Sequence, residues 1–180
     1  GDLLACRAFD GRALLPRLRT PTLVVAGMDD AVTPVSCAEE LARGFEARLA
    51  DIAAKRRTAP KPKVYFEEWD DPLISGIGWV SELIEIAGGE DVLPKLRFQQ
   101  AAKDRIILPD VVREAAPDVI LASWCGKKVV PDRIRQRPGW REIPAVRNNR
   151  IVEIKSPLIL QPGPAALTDG LDAIVKALWS

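Results

Sequence analysis

The chain has 180 residues, 47% of them hydrophobic and 28% charged, with a formal net charge of +1 and no histidine. That length suits one domain or one and a half, and the balanced charge gives no global pull toward nucleic acid or an anionic membrane surface. Without imidazole no Ser-His-Asp or Cys-His relay can form, and Cys6, Cys37 and Cys125 are spaced as isolated thiols rather than as a metal pattern or disulfide framework.

In chain order, residues 3–18 read as a short helix, broken by Gly11 and ended at Pro16. Residues 22–26 (TLVVA) read as a buried strand, followed by a polar turn over 27–34. A helix is expected to start at 35 or 36 and run through Leu41, Phe45, Leu49 and Ile52 to Lys55, because apolar positions recur at helical spacing. Gly44 in its middle weakens it by up to about 1 kcal/mol relative to alanine. Residues 58–62 (TAPKP) form the clearest linker, since proline cannot continue a helix.

Beyond the linker the pattern predicts strand 64–69, helices 76–87 and 109–116, strand 118–124, helix 130–137, strand 150–155 and a last helix over 164–178. Such alternation implies an α/β fold: a three-layer α/β/α lobe with a mainly parallel sheet, preceded by an N-terminal helix-strand-helix segment. Asn148-Asn149 marks a tight turn, and residues 145–147 are expected to pair antiparallel with the final strand. No apolar run approaches the roughly 20 residues of a spanning helix.

Ligands in open parallel sheets sit outside the carboxyl ends of the strands. Three predicted strands end there in Glu67, Glu68 and Trp69; in Ser123 and Trp124, followed by Cys125, Gly126, Lys127 and Lys128; and in Lys155 and Ser156, followed by Leu158. Aromatic surface, small turn residues and charges of both signs suit a large planar ligand with a polar periphery. Trp69 and Trp124 equally suit core positions that close the sheet ends. Trp79 and Trp179 fit helix packing, and Trp140 fits a loop anchor. One of Glu67 and Glu68 points inward and needs a cation such as Lys127 or Lys155, because an unpaired buried charge is costly.

The blocks SGIGWVSELIEIAGGEDV, APDVILASWCGKK, RPGWREIPAVRNNRIVEIKSP and PGPAALTDGLDAIVKAL resemble the C-terminal lobe of ABC-transporter substrate-binding proteins of the helical-hinge class, closest to the cobalamin-binding branch. The resemblance covers roughly residues 46–180. It implies a non-enzymatic protein that delivers a corrinoid to a membrane permease, with cobalamin as possible ligand and no resident cofactor or metal. A siderophore-type iron complex is the alternative, and the acidic, aromatic rim favours the corrinoid. The resemblance also implies ligand contacts at Asp104 and Arg105, and permease docking through Asp110, which otherwise reads as a first-turn acid favoured by the helix dipole. It implies a periplasmic or extracytoplasmic location, although residues 1–15 lack the basic start and apolar core of a secretory signal.

The segment LPRLRTPTLVVAGMDDAVTP resembles the late strand-turn region of α/β-hydrolases, where Asp30 would be the triad acid. Without a histidine or a G-x-S-x-G elbow that acid has no partners, so hydrolysis is not expected. The expected division is therefore 1–45 as a hydrolase-like fragment, 46–60 as the end of a bridging helix with its Pro-rich linker, and 61–180 as the substrate-binding lobe. A lobe without its partner lobe is expected to bind weakly or not at all, and a folded but inactive fusion is the remaining alternative.

Overall fold

A computed structural model describes residues 35–56 and 58–180. The helix and strand expected within residues 1–34, and Asp30 with them, lie outside the described residues. The first described element is helix α1, Val35–Arg56. It spans about 33 Å at 1.5 Å per residue and passes through Gly44 without a break. Helix-forming residues on both sides of that glycine outweigh its propensity cost.

Strand β1 (Lys63–Asp70) is the spine of the sheet. It pairs in parallel with β4 (Val119–Ala122), which in turn pairs in parallel with β5 (Ile151–Glu153). Its other edge is shared by two short strands that the alternation pattern does not signal. β2 (Leu73–Ser75) folds back antiparallel on its C-terminal half, and β3 (Glu90–Asp91) pairs in parallel at its start. The order β2-β1-β4-β5 makes the sheet mainly parallel. A bulge between Glu67 and Trp69 offsets the register, so the strand tip turns its side chains away from strict alternation.

Alternation along the strands builds two cores. Val64, Phe66, Val119 and Leu121 face helices α2 (Gly78–Ile86) and α7 (Leu171–Trp179), meeting Val80, Leu83, Ile84, Leu171, Ile174 and Leu178. Leu49 and Ile52 of α1 lean on this same cluster. Tyr65, Ile120, Ala122 and Ile151 face the opposite way, toward α3 (Pro109–Ala115), α4 (Pro131–Arg135) and the buried Trp140. Each fully buried aliphatic side chain contributes about 1.5–3 kcal/mol. The layers are thus helix, sheet, helix.

Two glycines let these layers close up. Gly88 (φ 85°) ends α2 with its amide on the Glu85 carbonyl, and Gly89 returns its amide to Ile84. A β-carbon at Gly89 would press on Val64, Ile84 and Leu178 together, so this is where β1, α2 and α7 meet. The final helix also departs from its expected form. Residues Ala166–Gly170 make a wider π turn before α7 proper begins at Leu171. There Gly170 lies against the Leu158 carbonyl, where any β-carbon would collide.

One sequence expectation fails. Residues 145–147 do not form a strand; Pro144–Arg147 is a helical turn, here α5. Pro144 sits at its first turn, where a missing N–H costs nothing. Ala145 and Ile143 are buried in the second core, which an edge strand would have left exposed.

Candidate functional site

The carboxyl ends of β1, β4 and β5 converge at one rim, and the bulged tip EEWD supplies the side chains that organise it. Glu67 is the inward carboxylate and is fully buried. Its partner is Arg137, just beyond α4, rather than Lys127 or Lys155. The guanidinium donates to Oε2 at 2.5 Å and to Oε1 at 2.9 Å, and the Trp124 indole N–H adds a third bond to Oε1 at 3.0 Å. The expectation fails because α4 brings the arginines of PDRIRQR over the sheet end, and the planar fork of Arg137 matches a carboxylate better than an ammonium does. Arg137 also lies over the Trp140 ring at 4.5 Å. Burial pushes the neighbouring Tyr65 phenol well above its usual range, with the Glu67 charge adding to the effect.

Lys127 has a different partner, the buried Asp70, which its Nζ meets at 2.5 Å. Arg133 reaches the other Asp70 oxygen at 3.0 Å. Burial alone would push this carboxyl up, but the Lys127 bond and charge, with Arg133, outweigh it and hold the group below its ordinary value. The same ammonium lies 4.1 Å from the centre of the Trp69 ring and 5.1 Å from that of Trp124. Lys127 is therefore clasped by a carboxylate and two indoles. Trp69 is tied back through its own N–H to the Asp71 carbonyl at 2.9 Å.

The third acid of the tip is also neutralised. Glu68 takes a two-pronged bond from Arg105, at 2.6 and 3.1 Å, and Arg105 is almost wholly buried, with a further bond to the Ser75 carbonyl. The rim that reads as acidic in the sequence is thus internally paired. The carboxylates of Glu67, Glu68 and Asp70 tie Arg137, Arg105 and Lys127 to the strand tip.

The open space lies beside this clasp. A cavity of about 490 Å³ runs along α1 and α2, lined by Leu41, Phe45, Leu49, Trp79 and Leu167; it is apolar and lies away from the paired rim. The second, of about 510 Å³, sits on the tips of β4 and β5, between the turn at Gly126 and helix α6 (Ser156–Ile159). Trp124, Cys125, Lys127, Lys128, Lys155 and Gln161 line it, with Glu153 as its one carboxylate among the described residues. Glu153 accepts from Lys155 at 3.1 Å.

The structure gathers Trp69, Trp124 and Ser156 at one end of the sheet; the Ser156 hydroxyl donates to the Trp124 carbonyl at 3.2 Å. Trp124 is itself buried, with its N–H spent on Glu67. Leu158 leans on the opposite, apolar core and does not line the 510 Å³ cavity. Asp104 is exposed on a one-turn helix over Ala102–Arg105, and Asp110 is exposed at the start of α3, 3.2 Å from Arg113. Sequence reasoning missed Arg133 and Arg137. The available signal was the run of arginines at 133, 135 and 137 opposite an acidic strand tip.

Among the described residues no group of three metal-ligating side chains comes together, and no helix is long and apolar enough to cross a membrane. A mainly parallel sheet with a cavity at its strand tips is the arrangement in which open α/β folds hold their ligands. The chain belongs to the periplasmic binding protein family, whose model, described as "Periplasmic binding protein", matches residues 35–158. The family is non-enzymatic. Over 133 residues, 72% of this chain and 45% of the relative, it is 27% identical to the vitamin B12-binding protein of Vibrio parahaemolyticus. It thus spans about half the length of the curated relatives it matches.

Among solved structures it is similar to an ABC transporter substrate-binding protein of Listeria monocytogenes. The TM-score is 0.69 and the identity 18%, over 82% of this chain and 59% of that one. It also resembles the periplasmic heme-binding protein RhuT of Roseiflexus, with a TM-score of 0.62 and 28% identity over 79% and 57%. A stretch of 42 residues, 23% of this chain and 16% of the relative, is 50% identical to the putative carbamate hydrolase RutD of Variovorax paradoxus.

Proposed function

We propose that residues 61–180 are the C-terminal, ligand-capturing lobe of an ABC-importer substrate-binding protein, and that its ligand is a corrinoid. The observation that carries this reading is an open cavity of about 510 Å³ at the ends of the parallel strands β4 and β5, bordered by Trp124 and Ser156. Similarity to vitamin B12-binding proteins supports the ligand class. Helix α1 beyond residue 45 then corresponds to the end of a bridging helix. Residues 1–45 are then read as a hydrolase-like fragment, and the short match to a hydrolase is in keeping with a hydrolase-derived piece. The partner is a membrane permease, docked through the exposed Asp110, and the site of action is extracytoplasmic.

Pockets with high affinity enclose about 70–90% of a ligand, and residues 61–180 supply one side of such an enclosure, so these residues by themselves bind weakly. Isothermal titration with cyanocobalamin tests the reading: measurable heat at high micromolar to millimolar ligand is expected. No heat at millimolar cyanocobalamin removes corrinoid binding from this chain. A second reading, an iron complex, is favoured by the internal pairing of Glu67, Glu68 and Asp70, which removes the acidic rim that argued against an anionic ligand.

A further inference from the structure

Each acid of the strand tip is paired, but the pairs differ in what the departure of the cation leaves behind. Arg137 and Arg105, 13% and 2% exposed, are the sole ion-pair partners of Glu67 and Glu68 among the described residues. Withdrawing either leaves its carboxylate unpaired, at high cost. Asp70 has two cations. Lys127 meets one oxygen and Arg133 the other at 3.0 Å, so the carboxylate keeps a partner when Lys127 moves off. Arg133 also lies 5.7 Å from the centre of the Trp124 ring, so that indole keeps a cation beside it. The Lys127 side chain is 38% exposed and follows Gly126, whose φ is 74° and where an added β-carbon would meet nothing within 4 Å. The turn that carries Lys127 therefore has room to swing. Lys127 also divides two regions. It lines the 510 Å³ cavity, which Trp69 does not. Trp69 packs on the second core, with the Lys127 ammonium 4.1 Å from the centre of its ring.

We infer that Lys127 is a displaceable cover over the Trp69 indole: its ammonium occupies the ring face, and a flat ligand in the cavity gains that face only by moving the 125–128 turn aside. Lys127 sets affinity by competing with the ligand for the indole rather than by holding the ligand. The inference rests on the solute-capture reading above and assigns a specificity-determining residue to it. Entry costs the Lys127–Asp70 bond and the contact of the ammonium with the rings. Arg133 limits that cost by staying on Asp70. A stacked ring on Trp69 then offsets the remainder.

The test uses the full chain and two measurements. Acrylamide quenching without ligand reports access to Trp69, read as the difference from Trp69→Phe in the same background. Titration calorimetry with cyanocobalamin, a flat ring without net charge, reports binding. Lys127→Ala is expected to raise the Trp69 quenching constant about twofold and to tighten cyanocobalamin binding about three- to tenfold. Lys127→Arg keeps the charge, stacks on indole more firmly and pairs with a carboxylate through two bonds, so it is expected to weaken binding about threefold. Added salt screens the half-exposed Lys127–Asp70 pair, so it should tighten binding in the parent and leave Lys127→Ala unchanged. Weaker binding in Lys127→Ala, with its unfolding midpoint retained, overturns the inference, because a lysine that holds the ligand behaves in that way. Unchanged quenching of Trp69 in Lys127→Ala overturns it as well. Raised quenching in Lys127→Ala, with no cyanocobalamin bound by parent or variants, upholds the cover and removes the corrinoid reading beneath it.

Discussion

The two faces of the sheet start alike and end differently. Toward α2 and α7 the sheet's own side chains meet hydrocarbon, from Val64 and Phe66 to Ile174 and Leu178. Toward α3 and α4 the same alternation gives Tyr65, Ile120 and Ala122, but the strand tip then buries Glu67 against Arg137 and Asp70 against Lys127 and Arg133. Hydrocarbon packing is non-directional and tolerates swaps of similar volume. A carboxylate bonded to a guanidinium and an indole tolerates almost none. The first face supplies cohesion. The second fixes angles, and it does so where the cavity opens.

Substitutions on the two faces should separate these roles. Glu67→Ala leaves the Arg137 guanidinium and the Trp124 N–H without their acceptor, and a loss of about 3–5 kcal/mol is expected in urea unfolding. Replacing both partners, Glu67→Leu with Arg137→Met, should recover most of that loss while altering ligand binding. Ile174→Ala on the hydrocarbon face should cost about 2–4 kcal/mol through lost burial and the cavity left behind, with little effect on binding. If Glu67→Ala costs less than about 1 kcal/mol, the paired face does not fix the strand tips.

Asp70 gives the contrast a pH dependence. Its carboxyl is held below the unfolded value by Lys127 and Arg133 against the opposing effect of burial. The pair therefore contributes stability above the unfolded carboxylate range, near pH 4. That contribution is lost as the pH falls through the lower folded value. Asp70→Asn should be less stable than the parent at pH 7, and the gap should narrow as the pH is lowered below about 4. A gap of the same size at pH 7 and pH 3 would show that the carboxylate charge is not what holds Lys127.

The apolar face was legible in the sequence because period-2 strands and helical spacing encode it directly. Strands at 64–69 and 118–124, and helices at 76–87 and 109–116, reappear with ends shifted by a few residues. The paired face was only half legible. Glu67, Glu68, Trp69 and Trp124 stood out as site-forming residue types, but their partners come from elements 37 to 70 residues away in sequence. Nothing local says that Arg137 rather than Lys127 meets Glu67. The choice depends on how α4 lies across the sheet. β2 was hidden because three residues are too few to show a period, and the 144–147 turn because a proline before an apolar pair suits either structure. An acidic sequence motif thus became an internally neutral clasp, and its surface meaning reversed.

The smallest expected effect concerns the way α1 is held to the lobe. Arg48 and Asp172 approach to 2.5 Å between α1 and α7, the shortest route by which charge could fasten that helix. Both side chains are well exposed, at 38% and 59%, so water and salt compete for them. Exposed pairs contribute about 0–1 kcal/mol however short the contact. Leu49 and Ile52 against the apolar core, and Arg56 lying 4.8 Å from the centre of the Trp179 ring, offer the larger share. Asp172→Asn should therefore shift stability by less than about 1 kcal/mol, and Leu49→Ala by about 1–2 kcal/mol, because its side chain is only partly buried. If Asp172→Asn proves the more damaging change, the charged contact rather than the apolar seam fastens α1, and the division of labour drawn between the two faces does not extend to this helix.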